Sequence, residues 1–280
     1  MNGRRGSHLF GGVQDSAAKS VGVAALSTVV VFAVLGYLIV NTPGWTEFQQ
    51  GFFDSGEFSR SLPSIGAAFL VNIKLFLLAE VFILVLALLL AVMRSLDGPV
   101  FLPFRIISVV YTDFFRGVPG ILIVYVLGFG IPSLQIPGVT IDPFFWALVA
   151  LILVYSAYVA EVYRAGIDSV HSSQNAAARS LGLSRAQALR YVVLPQAVRR
   201  VIPPLLNDFI GLQKDTALVS FLGVVEAFQR ANIISAGDFN FTPYAATAVF
   251  FLIITVPMAR FVDWLVARDR RRQMAGAGAR

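Results

Sequence analysis

The chain has 280 residues, 57% hydrophobic and only 14% charged, with a formal charge of +6 and a mean hydropathy of +0.74. A soluble domain carries roughly 25% charged residues, so the composition argues against a soluble enzyme and for an all-α polytopic membrane protein. With no cysteine there are no disulfides, thiolate nucleophiles or Cys-based metal sites.

The two histidines, His8 and His171, lie outside the apolar blocks, which removes His-based metal clusters and an intramembrane Ser-His pair. No metal or catalytic residue is assigned. The arginines flank apolar runs, so the positive-inside rule explains the basic charge without nucleic acid.

Residues 1–20 are polar, with Arg4, Arg5 and Lys19, and read as a cytoplasmic N-terminal segment. The apolar run 21–40 exceeds a signal-peptide core, and Asn41-Thr42-Pro43 offers no small-residue cleavage site. It reads as a retained first span over 21–41. Residues 42–63 carry Glu47, Asp54 and Glu57 against Arg60 and suit an outside loop. A second span over 65–93 ends at Arg94, inside. It holds Lys74 and Glu80, which lie about 120° apart around a helix and so cannot pair along one face.

Pro99, Pro103 and Arg105 mark an inner connection, followed by a third span over 106–131 interrupted by DFFRGVPG at 113–120. The loop 132–142 belongs outside, and a fourth span over 144–163 ends in Glu161 and Arg164. The segment 164–200 holds Arg164, Arg179, Arg185, Arg190, Arg199 and Arg200, and the tail 268–280 holds Arg268, Arg270, Arg271 and Arg272. Both belong inside, so residues 201–267 must cross an even number of times. One crossing is 245–266. The other is 201–228, despite Asn207, Asp208, Gln213, Lys214 and Asp215. The expected topology is six spans with both termini cytoplasmic.

Between spans four and five lies QNAAARSLGLSRAQALRYVVLP, residues 174–195. Ser172 and Ser173 offer an N-cap for a helix over 174–181, which Gly182 stops. Ser184 with Gln187 forms the capping box of a second short helix, which Pro195 ends. The helix–turn–helix has a nearly bare surface at Ala176, Ala177 and Ala178. By spacing alone it is either a docking element for another protein or an interfacial helix on lipid headgroups.

The words AYVAEVYRAGIDSV (157–170), AARSLGLS (177–184), YVVLPQA (191–197), PPLLNDFIGLQKDTALVS (203–220) and LGVVE (222–226) resemble the integral membrane subunits of ABC importers, in the polar amino acid branch. FFRGVP (114–119) and the Lys74 region resemble the same family, whose cytoplasmic EAA loop corresponds to 171–197 here. The resemblance implies a type I importer transmembrane domain over 65–267, a five-helix core to which the first span is an addition. It implies a plasma-membrane permease subunit of a bacterium, working as a homodimer or with a sister permease. A separate ATP-binding subunit and an extracytoplasmic amino-acid-binding protein would complete the importer. The implied ATPase-docking residues are Gln174, Ala176, Ala177, Arg179, Gly182, Leu183, Ser184 and Pro195. Ala176 stands where the family carries Glu, so a Glu-dependent contact is not implied.

ATP and Mg would be used by the partner. A P-loop needs G-x-x-x-x-G-K-[ST], and Lys19-Ser20 lacks the glycines.

Charged residues inside spans are costly and functional by default. Lys74, Tyr158, Glu161, Arg164, Asn207, Lys214, Thr216 and Ser220 are the candidate lining of a translocation path. Glu161 and Arg164 also sit at i, i+3 and could pair locally. Asp113 and Arg116 precede Gly117-Val118-Pro119 and read as an ion pair stabilising a break. An autonomous secondary transporter or channel remains the competing reading, and it would show an internal repeat. An intramembrane enzyme is disfavoured by the absent Cys and peripheral His.

Overall fold

The computed structural model describes residues 8–96 and 98–277. The predicted N-terminal segment and basic tail thus include residues 1–7 and 278–280, which lie outside the described residues. The chain divides into two units, Met1–Asp54 and Ser55–Arg280.

In the first unit, α1 (His8–Val40) contains the apolar segment Val21–Val40, long enough to cross a bilayer. The Asn41 amide closes its end by donating to the Tyr37 carbonyl at 2.7 Å. A short α2 (Trp45–Phe52) follows, with Phe48 stacked on Trp45 and Phe52 at 5.8 and 4.9 Å.

The second unit opens with α3 (Ser55–Ser95), 41 residues long. The loop expected over 42–63 is thus largely helical. Glu57 lies in the first turn of α3, where the dipole favours an acid, and pairs with Arg60 at 2.8 Å. Acidic composition does not exclude helix.

One 3-10 turn (Pro99–Phe101) leads into α4 (Leu102–Gly117). Then come α5 (Gly120–Tyr125), a π turn (Val126–Gly130) and α6 (Ile131–Ser133). The two halves meet at 103°. Pro119 disfavours the helical conformation in its predecessor, and Val118 is extended with φ −97° and ψ 131°. The break expected within one span is therefore a turn beyond a right angle between two half-helices.

Asp142 caps α7 (Pro143–Asp168) by accepting from the Phe144 amide at 3.0 Å. Next come α8 (Ser172–Ser180), α9 (Arg185–Ala188), a π turn (Leu189–Val193) and α10 (Leu194–Asp215). A 3-10 stretch (Thr216–Leu222) ends at left-handed Gly223, φ +80°. Beyond it α11 (Ala227–Asp238) turns away by 49°, and α12 (Thr242–Ala277) completes the fold.

The core explains this arrangement. Leu75, Ala79, Ile83 and Ala87 recur every fourth residue on α3 and pack, fully buried, against Ala147, Ala150, Leu151 and Val154 of α7. Small residues let these helices approach closely. Near the end of α7, Gly166 sits so close to α10 that a Cβ would lie 2.0 Å from Val201 Cγ1. Ile65 and Phe69 join α3 to Ala227 and Ala231 of α11 and Ala246 of α12. Among the described residues, four stretches are long and apolar enough to cross a membrane, and up to six if each bent pair counts as one. The protein is an all-α, multi-pass membrane protein.

Candidate functional site

The segment after α7 is built from caps. The His171 imidazole, not Ser172 or Ser173, caps α8, with Nδ1 accepting from the Ser173 amide at 3.2 Å. Both serines are helical, so α8 starts two residues before the expected 174. At its other end the Gly182 amide donates to the Arg179 carbonyl at 3.0 Å and the Leu183 amide to the Ala178 carbonyl at 3.2 Å. With Gly182 at φ +84°, this is the Schellman arrangement. The predicted capping box is complete: the Ser184 amide donates to Gln187 Oε1 at 2.9 Å, and the Gln187 amide to Ser184 Oγ at 3.3 Å.

Pro195 does not end the second helix. The π turn takes i→i−5 bonds just before it, and Pro195 falls in the first turn of α10, where its missing N–H has no ladder role. The helical run therefore continues from the loop into α10.

Ala178 is buried and packs the loop inward. Val170, Val193 and Ala197, with Ile167 against them, form the cluster beneath. Gln174, Ala176, Ala177, Arg179, Gly182, Ser184 and Pro195 are exposed, and Leu183 is half-buried. Leu181, which the sequence did not single out, stands 84% exposed at the turn. The outer face is thus small, apolar at its tip, and flanked by arginine.

At the ends of three helices lies an arginine-ringed carboxylate. Glu161 on α7 accepts from Arg94 of α3 through Oε1 and from Arg164 through Oε2 at 2.7 Å. Arg116 of α4 stands 3.9 Å from the same Oε2. Arg164 also binds Asp168 at 2.8 Å. The expected Asp113–Arg116 pair is not formed: Asp113 is exposed, and Arg116 turns to the more enclosed Glu161.

Removing Glu161 leaves these cations facing one another. Its side chain is 16% exposed, between the exposed and buried regimes, so Glu161→Ala is expected to cost about 2 kcal/mol. Thermal unfolding of the variant in lipid nanodiscs, set beside Arg94→Leu and the double variant, measures the coupling.

The remaining predicted residues separate into two groups. Tyr158 is exposed beneath the Arg116 guanidinium, 5.9 Å from it. Asn207 and Lys214, seven positions apart and so on one face of α10, are also exposed. Lys74 is exposed and rests on the Phe144 ring at 4.9 Å, at the opposite end of α7 from Arg164.

Thr216 and Ser220, by contrast, are buried. Thr216 accepts from Asn72 Nδ2 at 3.0 Å, and the same amide donates to Glu226 Oε2 at 2.8 Å. Glu226, fully buried, caps α11 through the Phe228 and Gln229 amides. The Ala227 amide returns a bond to Asn72 Oδ1 at 3.1 Å. Sequence reasoning missed Asn72 and Glu226 as partners. It also missed Tyr155, whose hydroxyl donates to Asp215 Oδ2 at 2.8 Å beside Gly211. Among the described residues no group of His, Cys, Asp or Glu is arranged to hold a metal.

Comparison with known proteins agrees with this architecture. Residues 24–271 match the family model described as binding-protein-dependent transport system inner membrane component. The probable amino-acid permease protein YxeN of Bacillus subtilis (strain 168) is 32% identical over 78% of this chain and 92% of its own. The probable glutamine ABC transporter permease protein GlnM of the same organism is 37% identical over 66% of this chain and 83% of its own. The solved structure of an amino acid ABC transporter with histidines superposes with a TM-score of 0.71 at 30% identity, over 77% of this chain and 98% of that one. The chain therefore belongs to the family of inner membrane components of binding-protein-dependent transport systems.

Proposed function

We propose that the chain forms the translocation path of an ABC importer for a polar amino acid and takes its drive from a separate ATP-binding subunit docked on residues 174–195. The carrying observation is the capped helix–turn–helix. Its exposed face is Ala176, Ala177 and Leu181, Ala178 is buried where α8 meets the π turn, and its second helix runs unbroken into α10. A force on the turn reaches the membrane helix without a flexible joint. Ala176 removes the carboxylate that the family places there, so docking would rest on apolar fit and Arg179.

Six crossings with both termini inside account best for the arginines. If the bent pair α4–α6 did not cross, 164–200 and its arginines would lie outside, against the positive-inside rule. The exposed Tyr158, Arg116, Asn207 and Lys214 lie within spans, where polar groups must face water or protein. Their mixed donors and acceptors suit a solute carrying both a carboxylate and an ammonium. Amino-acid transport in the names of the similar proteins supports the same class. A second permease copy or sister subunit would complete the path, and an extracytoplasmic binding protein would deliver the solute. ATP and Mg belong to the partner ATPase.

Reconstitution tests the reading. Proteoliposomes holding the permease, its ATPase subunit and binding protein should accumulate labelled amino acid when ATP is supplied, and omission of the ATPase should abolish accumulation. Uptake by the permease alone along an ion gradient would instead establish an autonomous transporter.

A further inference from the structure

Beside the docking segment lies a cavity of about 870 Å³, within the range of small-molecule sites. It is framed by the last turns of α3 and α7, the π turn and the start of α10. Its floor is small and buried: Ala91, Val193 and Ala197. Its rim is large and exposed, with Leu88 at 55%, Val92 at 49% and Val198 at 50%. Polar lining is confined to Ser95, Tyr163, Asp168 and Ser172, and Asp168 is already bound to Arg164. Such a space favours a hydrocarbon chain and offers little to a polar solute.

The one charge in the lining, Asp168, is paired with Arg164, and arginines lie beside the cavity. Arg190 follows the lining residue Leu189 in the π turn and, exposed, lies against the Tyr191 ring at 5.7 Å. Arg200 donates to the Ser169 carbonyl between two lining residues. Among the described residues, Arg190 and Arg199 form no ion pair.

We propose that this cavity holds the acyl chains of an anionic phospholipid from the cytoplasmic leaflet, with its phosphate against Arg190. The assignment rests on the cytoplasmic placement of the 174–195 segment. The cavity lies where spans α3 and α7 end, at headgroup depth, and the leaflet supplies negative headgroups to which each nearby arginine adds attraction. The bound chains would fill the gap between α3 and the π turn, the place where loop motion enters the membrane.

The test is lipid retention by the purified full-length permease, measured by native mass spectrometry after exchange into phosphatidylglycerol or phosphatidylcholine nanodiscs. Wild type should keep a phosphatidylglycerol through mild delipidation. Arg190→Gln, at an exposed site where only the contact with the Tyr191 ring is lost, should lower the preference for phosphatidylglycerol about fivefold. Ala91→Phe, which fills the floor, should lose the lipid altogether.

Equal retention by all three overturns the assignment. So does disulfide cross-linking of Val92→Cys to the same residue of a second copy, clean to read because the chain has no cysteine of its own. Retention is read on the permease alone, so failure to recruit an ATPase would count against the proposed function and leave this result standing.

Discussion

Valine at position 182 is expected to weaken ATPase docking about tenfold and to lower uptake in proportion, while asparagine there should stay within about twofold of wild type. Nothing lies within 4 Å of a Cβ built at Gly182, so bulk is not the obstacle. The obstacle is φ, +84°, a left-handed conformation costing roughly 1–2 kcal/mol for an ordinary residue and least for Asn. Valine relieves that strain only by opening the turn, which breaks the Gly182–Arg179 and Leu183–Ala178 bonds and moves Leu181 off the tip. Binding of the ATPase subunit to immobilised permease, with unchanged thermal stability, is the measurement. Valine and asparagine variants that both bind like wild type would show that the turn is not the docking contact.

The second large effect concerns stability. Glu226→Ala is expected to destabilise the fold by roughly 3 kcal/mol or more, since it removes a helix cap worth about 1 kcal/mol and strands buried donors at about 1–3 kcal/mol. The carboxylate is fully enclosed and bonds Asn72, Phe228 and Gln229. Asn72 Nδ2 would lose one of its two acceptors and keep Thr216, while Oδ1 still accepts from the Ala227 amide. Asn72→Ala should cost less, and the double variant should cost less than the sum, because both act on one network. Unfolding midpoints in detergent decide the point. A Glu226→Ala protein as stable as wild type would mean that water replaces the carboxylate at this bend.

Two local signals are legible in the sequence, while the cap of α8 is not, since His171 takes the place expected of Ser172 or Ser173. Gly182 and the Ser184–Gln187 box act over three or four residues, and nothing distant competes with them. Pro195 misled because the rule that proline stops a helix presumes an unbroken i→i−4 ladder, which the π turn at 189–193 avoids.

Asp113 misled for the opposite reason. Its pairing with Arg116 was the local solution, but a carboxylate from another helix, Glu161, lies more enclosed and wins. Thr216 and Ser220 share this logic. A polar residue in an apolar helix faces either solute or a buried partner, and periodicity cannot distinguish the two when the partners are Asn72 and Glu226, distant in sequence. Val118-Pro119 announced a break, but its 103° angle depends on how α4 and α5 pack.

The uninterrupted passage from α9 through the π turn into α10 sets how the gene can be altered. One residue added between Ala188 and Leu194 would rotate everything beyond it by about 100° and shift it ~1.5 Å. Asn207 and Lys214 would leave their face, and Gly166 would no longer lie opposite Val201. The irregular link between α6 and α7, where Gln135 and Gly138 are left-handed, has no helical phase to preserve. An epitope or fluorophore belongs there, and the 185–194 stretch should keep its length in every homologue that couples the same way.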